Sequence, residues 1–145
     1  MADPYERQLV NRSFYHSKSP IRGRVVTVLQ GQLENRSLQL IKPISRTFPA
    51  GTIIELIATD EPGAVPGGTA DRIAYIAFVE LLDGGVLLAG DPVLIGGREI
   101  GRIAGYDDTH MPNHQNTIIS VDQRRSGADL GLSLGDPVLI PGFQS

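Results

Sequence analysis

Short β-branched and aliphatic runs, broken every few residues by glycine or proline, constrain the fold of this chain more than any other feature. From Arg22 onward the runs RVVTVL (Arg24 to Leu29), LQLIK (Leu38 to Lys42) and TIIELI (Thr52 to Ile57) have the length and composition of strands. The 17 glycines and 10 prolines of the chain supply turns between such runs. We therefore expect an all-β fold, and we interpret the first three runs as a meander.

The run from Arg72 to Leu82 is the longest strand candidate, and it is apolar at nearly every position. We expect it in the middle of the sheet with both faces covered. The triplet Asp83-Gly84-Gly85 has hairpin-turn chemistry, and Val86 to Ala89 begins the return strand. The segment Glu61 to Thr69 is rich in proline and glycine, so it is either a functional flap or a crossing of one barrel end. Together these runs predict a small closed or partly open β-barrel of about eight to nine strands.

The hexapeptide GDPVLI occurs twice, at Gly90 to Ile95 and at Gly135 to Ile140. In each copy the glycine can turn the chain, the aspartate can bond nearby backbone amides, and the proline suits the first position of a strand. We expect both copies of this internal repeat to enter a strand directly after a turn, with valine and isoleucine facing inward. We interpret the repeat as structural.

The segment Ser126 to Leu130, just before the second GDPVLI copy, can form one helical turn with Ser126 as cap and Asp129 at the capping-box position. The combination of turn, helical turn and GDPVLI resembles a pattern of small barrels, including the double-psi type and the second barrel domains of translation factors. That resemblance spans about a dozen residues and implies a fold without a function.

The N-terminal region differs from the rest of the chain. Asp3 can cap a short helix from Pro4 to Arg12, and Ser13 to Pro20 forms a polar arm with two aromatic residues and His16. We expect residues 1–20 to be a helix and arm, and residues 21–145 to be a single barrel domain. Because such an arm has little reason to fold alone, we expect it to order against a second subunit, which predicts a homo-oligomer.

Charge and composition exclude several classes of function. A net charge of −3 gives no concentrated positive field for nucleic acid or an anionic membrane. The absence of cysteine excludes disulfides and thiolate chemistry. Since no apolar run reaches the length of a membrane span and the N-terminus lacks a signal-peptide core, we expect a cytoplasmic protein.

The segment DDTHMPNHQN, Asp107 to Asn116, is the one plausible polar site, because it holds two of the three histidines, two aspartates and two asparagines. Pro112 lies between His110 and His114 and there is no glutamate between them, so a zincin helix is excluded. Three interpretations stay open. His110 or His114 could act as a general acid or base oriented by Asp107 or Asp108, with Asn113 or Asn116 donating a hydrogen bond to a ligand.

The second interpretation is a metal site in which His110, His114 and one of the two aspartates hold iron, manganese or zinc. The third is a rigid polar loop whose side chains bond backbone groups, with one turn beginning at Asp107 and another formed by Pro112 and Asn113. No cofactor other than such a divalent metal is suggested by the sequence.

Residues outside the loop offer weaker candidates. Arg72, at the start of the long apolar run, could hold an anionic ligand, although an ordinary surface ion pair is the simpler explanation. Tyr75 and Tyr106 could line a ligand cavity, and the alternative is aromatic filling of the core.

Two longer stretches resemble an uncharacterised bacterial family of small proteins, a domain of unknown function. They are GGTADRIAYIAFVE (Gly67 to Glu80) and GREIGRIAGYDDTHMPNHQNTI (Gly97 to Ile118). The resemblance covers about two thirds of the chain and implies neither an activity nor a cofactor.

The sequence therefore favours binding of a small polar or anionic organic molecule in a barrel pocket near the Asp107 to Asn116 loop. Histidine acid–base chemistry there would suit a lyase, isomerase, cyclase or hydrolase. The alternatives are a non-catalytic subunit or assembly module, and an enzyme dependent on a divalent metal. Whether the protein is an enzyme is left open by the sequence.

Overall fold

The computed structural model describes residues 12–144, which form strands and one turn of 3-10 helix at Arg12–Phe14. The strands are β1 (Ser17–Lys18), β2 (Ile21–Val28), β3 (Gln32–Leu33), β4 (Leu38–Gln39), β5 (Ser45–Phe48), β6 (Ile53–Thr59), β7 (Thr69–Ala70), β8 (Ile73–Leu81), β9 (Gly85–Leu88), β10 (Pro92–Ile95), β11 (Arg98–Asp107), β12 (Gln115–Ser120), β13 (Pro137–Ile140) and β14 (Phe143–Gln144).

Seven strands close into a barrel in the order β2-β13-β10-β11-β12-β6-β8, since β8 pairs back with β2, and β3 adds to the edge of β8. All neighbours in the ring are antiparallel except β12 and β6, which are parallel. The expected all-β barrel is confirmed. The predicted helix from Pro4 to Arg12 lies outside the described residues except for Arg12, and the described chain supports only the short turn at Arg12–Phe14.

The first strands do not form the expected meander, so that prediction is wrong. Strands β2 and β6 both pair with β8, and their other partners, β13 and β12, are far along the chain. The expected hairpin at Asp83 is also wrong, because β9 pairs with β5. Asp83 instead binds β2: its carboxylate accepts bonds from the Arg22 amide at 3.0 Å and from the guanidinium at 2.9 Å.

The barrel has an inner core and a second apolar cluster on its outer wall. The inner core is formed by the inward residues of the ring strands, such as Val25, Leu56, Val79 and Ile103. The outer cluster packs β4, Leu40 and part of the 61–69 loop against Ile57 and its neighbours on the wall. That loop therefore covers the wall of the barrel through buried Ala64, and the expected crossing of a barrel end is wrong.

Both GDPVLI segments have the predicted local structure. The glycines, Gly90 and Gly135, have φ of 95° and 85°, and the strands β10 and β13 begin at the prolines. Each aspartate accepts a hydrogen bond from the amide three residues earlier, and the two strands pair with each other. The inward side chains are buried at both sites, namely Val93, Ile95, Val138 and Ile140.

Two other local elements are a hairpin and the predicted capping box. Gly96 and Gly97, both with positive φ, join β10 and β11 in a hairpin. The Ser126 hydroxyl accepts the Asp129 amide at 3.1 Å and the Asp129 carboxylate accepts the Ser126 amide at 3.2 Å, which is the capping box. Within residues 12–144 there is no helix long and apolar enough to cross a membrane.

Candidate functional site

The loop between β11 and β12 carries the histidines on two consecutive turns. The Met111 amide bonds the Asp108 carbonyl at 3.0 Å, and the Asn113 amide bonds the His110 carbonyl at 2.9 Å. These turns place the imidazoles side by side, with ring centroids of His110 and His114 5.1 Å apart and an interplanar angle of 30°. The loop therefore presents the two rings as one unit at the end of the barrel wall.

His114 is held on both ring nitrogens and on one ring edge. Its Nε2 lies 2.9 Å from Oε1 of Glu55, and its Nδ1 lies 2.9 Å from Oδ1 of Asn113. The ring also meets Phe78 in an edge-on contact with centroids 5.0 Å apart. A protonated ring donates to both oxygens, whereas a neutral ring donates to one of them.

Glu55 lies on β6, in register with Phe78 of β8 and Asn116 of β12, and only 6% of the residue is exposed. Burial raises the pKa of the Glu55 carboxyl, while the hydrogen bond and charge of His114, with smaller contributions from His110 and Arg36, oppose the rise. A buried carboxyl group whose ordinary charge is disfavoured is a frequent feature of functional sites.

Arg36 contacts His110, the imidazole farther from Glu55, with one guanidinium nitrogen 3.2 Å from Nε2 of His110. Because a guanidinium can only donate, Nε2 of His110 is the acceptor in this contact. The sequence of contacts is therefore Arg36, His110, His114 and Glu55, with a permanent cation at one end and a buried carboxyl group at the other.

A pocket of about 410 Å³ lies against His114, lined by residues 46–49, 52–53 and 111–115. Arg46 of β5 supplies a cation to this pocket, and Phe48, Ile53 and Met111 supply apolar surface. His114 thus lies between the buried Glu55 and a pocket that contains a guanidinium. We refer to this cavity as the His114 pocket.

Asp107 and Asn116 form hydrogen bonds with groups other than the imidazoles. The Asp107 carboxylate accepts the Thr109 amide at 2.8 Å, the Gln39 amide at 3.1 Å and the Asn116 side-chain amide at 3.2 Å. Burial alone would raise the pKa of Asp107, but these hydrogen bonds, led by those of Thr109, outweigh burial and lower it. Asp107 and Asn116 therefore have the local structural role that the third interpretation of the loop gave to such side chains.

Asp108 is also turned away from the histidines, since its carboxylate accepts a hydrogen bond from Nε2 of Gln115 at 2.8 Å. The same Gln115 nitrogen donates to the Asp107 carbonyl at 2.8 Å. The idea that one of the aspartates orients an imidazole is wrong, because the carboxylate that contacts His114 belongs to Glu55.

The remaining candidates are distributed over other parts of the barrel. Arg72 is an exposed residue that pairs with Asp60 at 3.4 Å, away from the His114 pocket. Tyr75 packs half-buried against the outer cluster, and Tyr106 is fully buried in the inner core beside Phe48, with ring centroids 6.5 Å apart. Of the predicted ligand-binding residues, only Asn113 directly contacts a histidine of the loop.

The expected metal site is not assembled by the described residues, among which no group of three His, Asp or Glu side chains converges to hold an ion. The physical reason is that both aspartates proposed as the third ligand bind amides of the loop and its neighbours. A second, larger groove of about 810 Å³ includes Asp107, Asp108 and Lys42. It contains neither imidazole nor guanidinium among its lining residues, so we place the candidate site at the His114 pocket.

Sequence reasoning missed three members of the site: Glu55, Arg46 and Arg36. Only Glu55 leaves a usable signal, because it stands alone as a charged residue inside the apolar run TIIELIA, where both faces of the strand are buried. A single carboxyl group in such a run must find a partner in the folded protein. Arg46 and Arg36 lie in polar, turn-rich sequence that does not distinguish them from surface arginines.

Fold and site together define an all-β barrel domain with a buried carboxyl–imidazole pair beside a polar pocket. The chain belongs to the DUF6917 family, a family of unknown function, whose profile matches residues 15–141. The resemblance to a family of unknown function, expected from the two long segments, is thereby confirmed. No curated protein and no solved structure matches the chain.

Proposed function

We propose that this protein binds a small organic anion in the His114 pocket and transfers a proton to or from it through His114. The observation that carries the proposal is the position of His114, whose Nε2 lies 2.9 Å from buried Glu55 and whose ring lines a pocket shared with Arg46. An imidazole held by a carboxyl group on one nitrogen is the usual arrangement of a general acid or base.

The two contacts of the imidazole differ in a way that suits this role. The Glu55 contact is shielded from solvent, whereas the Asn113 contact is exposed and comes from the adjacent residue. A ligand can therefore replace Asn113 at Nδ1 while Glu55 keeps the ring oriented through Nε2. Lyase, isomerase, cyclase and hydrolase reactions all use a proton transfer of this kind.

Arg46 gives the pocket its preference for an anion. A guanidinium binds a carboxylate through two parallel hydrogen bonds, and the apolar surface of Phe48, Ile53 and Met111 reduces the screening of that interaction by water. The pocket volume of about 410 Å³ suits a molecule of metabolite size.

Binding is tested by titrating the purified protein with short mono- and dicarboxylic acids in a calorimeter. Arg46→Met should weaken binding about ten- to a hundredfold, because it removes the charged partner of the carboxylate. Arg102→Met, which removes an exposed arginine on β11, is the matched control and should leave binding unchanged. If none of the acids binds to the intact protein, or if both variants bind as it does, the anion site is refuted.

Proton transfer is tested separately by following deuterium exchange at the carbon beside the carbonyl of pyruvate and related 2-oxo acids in deuterated water. The protein should accelerate the exchange, and His114→Gln should abolish the acceleration while acid binding at Arg46 persists. Gln can still bond Glu55, so the fold should be retained. Acceleration that survives in His114→Gln would contradict the assigned role of the imidazole.

A second candidate is a non-catalytic assembly module, which is favoured by two apolar side chains at the same pocket. Ile53 and Met111 are 36% and 42% exposed, more than is usual for residues that only fill a core. If Ile53→Ser with Met111→Ser changed the sedimentation of the protein while no acid bound, the module would replace the ligand site as the preferred function.

A further inference from the structure

The contact between Glu55 and His114 joins a buried carboxyl group to a ring that lines the His114 pocket. Oε1 of Glu55 lies 2.9 Å from Nε2 of His114, on the side of the ring that is shielded from solvent. Nδ1, the other ring nitrogen, meets Asn113, which also lines the pocket. A ligand in the pocket can therefore reach the ring only through the nitrogen that Glu55 does not hold. We refer to these two residues as the Glu55–His114 pair.

The number of protons in the pair decides what can bind at Nδ1. A neutral imidazole has one N–H group, and an ionised carboxylate can only accept hydrogen bonds. If a ligand carboxylate accepts the N–H of Nδ1 while the ring is neutral, Nε2 has no proton to donate to Glu55. The contact at Nε2 is then kept only if Glu55 is protonated or if the ring is an imidazolium. In both cases the pair holds one proton more than an ionised Glu55 beside a neutral His114.

Burial and charge both favour that extra proton when an anion is bound. Without it the pair has a net negative charge, and burial raises the pKa of the Glu55 carboxyl against the opposing hydrogen bond and charge of His114. A ligand carboxylate beside the ring adds a second negative charge to the same site. Protonation of the pair removes this repulsion between like charges, and the Arg46 guanidinium in the pocket is left to pair with the ligand.

Acidic side chains on elements packed against the pair have partners of their own. Glu80, the acidic residue of β8, pairs with Arg24 at 2.8 Å. The Asp107 carboxylate accepts the Thr109 amide at 2.8 Å, and the Asp108 carboxylate accepts the Gln115 side-chain amide at 2.8 Å. These contacts account for the acidic groups next to the pair.

His110 is the other titratable group of the loop, and Arg36 occupies its Nε2 at 3.2 Å. Adding a proton to that nitrogen would remove the acceptor of the Arg36 bond and set two cations side by side. A proton that enters with an anion is therefore held better by the Glu55–His114 pair than by His110.

We propose that the His114 pocket binds a carboxylate together with one proton, which is held between Glu55 and His114. This inference rests on the proposed function and specifies how pH regulates that site. Because the complex holds a proton that the free pair releases as the pH rises, the affinity for the anion falls with rising pH.

The experiment is calorimetric titration of the full chain with pyruvate, lactate and oxalate, which stay ionised from about pH 6 to about pH 9. Each titration is done in Tris and in Hepes, whose different heats of ionisation reveal how many protons are taken up with the anion. Once the free pair has lost its proton, the parent should take up about one proton per anion. Its affinity should then fall about tenfold for each further pH unit.

Glu55→Gln is the decisive variant, because its side-chain amide can donate to Nε2 of His114. A neutral ring with its proton on Nδ1 then binds the carboxylate without taking up another proton. Proton uptake should disappear, and at the alkaline end the variant should bind the anion about tenfold more tightly than the parent, or better. Glu99→Gln, which changes an exposed carboxylate on β11, is the matched control and should keep the uptake and the pH dependence of the parent.

Binding without proton uptake by the parent at every pH would overturn the inference and leave the anion site in place. Uptake that persists unchanged in Glu55→Gln would also overturn it, because the proton would then be held elsewhere. If none of the acids binds at any pH, the proposed function fails and the inference fails with it.

Discussion

Glu55 is the residue on which the candidate site depends, because it is the buried carboxyl group that holds His114. Its neighbours in the strand, Ile54 and Leu56, face the inner core, so the carboxyl group lies on the outer wall under the His110–His114 loop. A buried glutamate in this position destabilises the folded protein unless it is protonated or paired with a cation.

The raised pKa of Glu55 predicts a specific dependence of stability on pH. Between the ordinary pKa of 4.5 and the higher folded pKa, the native protein keeps a proton that the unfolded chain releases. Raising the pH through this interval therefore favours unfolding. Relative to Glu55→Gln, the parent protein should be most stable at acidic pH and should lose that advantage as the pH rises.

The measurement is urea unfolding of both proteins over a series of pH values. Glu99→Gln, which changes a carboxylate 48% exposed, is the control and should follow the parent at each pH. An advantage of the parent that grew with pH would mean that His114 stabilises the carboxylate more than burial disfavours it.

At the level of the structural element, the two GDPVLI segments share a backbone and differ in what their aspartates bind. The Asp136 carboxylate accepts a hydrogen bond from the nearby Ser133 amide at 2.8 Å. Asp91 bonds the Leu88 amide at 3.0 Å and also lies 3.1 Å from both Arg12 and Lys18. Since Asp91 is 1% and Lys18 5% exposed at the side chain, this is a buried ion pair.

Asp91→Asn should therefore destabilise the protein by about 3–5 kcal/mol, because the Lys18 ammonium would stay buried without its counter-charge. Asp136→Asn should cost about 1 kcal/mol or less, since the new side chain can still accept the Ser133 amide. Urea unfolding of the two variants gives this comparison directly. Equal losses would show that the turn, and not the ion pair, makes Asp91 important.

Local elements of this fold follow from sequence, whereas the pairing of distant strands does not. The GDPVLI turns and the Ser126 capping box are set by residues a few positions apart, and both were predicted. The alternation of apolar residues shows which face of a strand is buried, but it does not identify the strand that pairs with it. The pairing of β12 with β6 and of β9 with β5 therefore had no signal in the sequence.

The candidate site was partly predictable for the same reason. The loop clusters His110, Asn113 and His114 within a few residues, so their proximity follows from the chain itself. Glu55 and Arg46 reach His114 and its pocket only after the barrel has closed. The aspartates of the loop were misassigned because the sequence of an Asp-Asp pair does not show that backbone and side-chain amides will bond its carboxylates.

At the level of the whole molecule, the N-terminal arm is the segment expected to mediate assembly. The described part of the arm binds its own chain: β1 pairs with β14, Arg12 donates to the Ala89 carbonyl at 3.0 Å, and Tyr15 donates to Ser45 at 2.8 Å. The arm therefore has partners without a second subunit, contrary to the reason given for expecting one. An oligomer formed through the arm must use its outward side, where Phe14 is 69% exposed.

A homo-oligomer stays our prediction, and it now has a sharper test. The intact chain should sediment as an oligomer, and Phe14→Ser should sediment as a smaller species while remaining as stable as the parent, because Phe14 contributes little to the fold. Leu134→Ser, which changes a side chain 72% exposed before β13, is the matched control and should leave the sedimentation unchanged. A chain lacking residues 1–20 should also be smaller, but it should be less stable because Asp91 loses both cations. An intact chain that sediments as a monomer at all concentrations would refute the assembly.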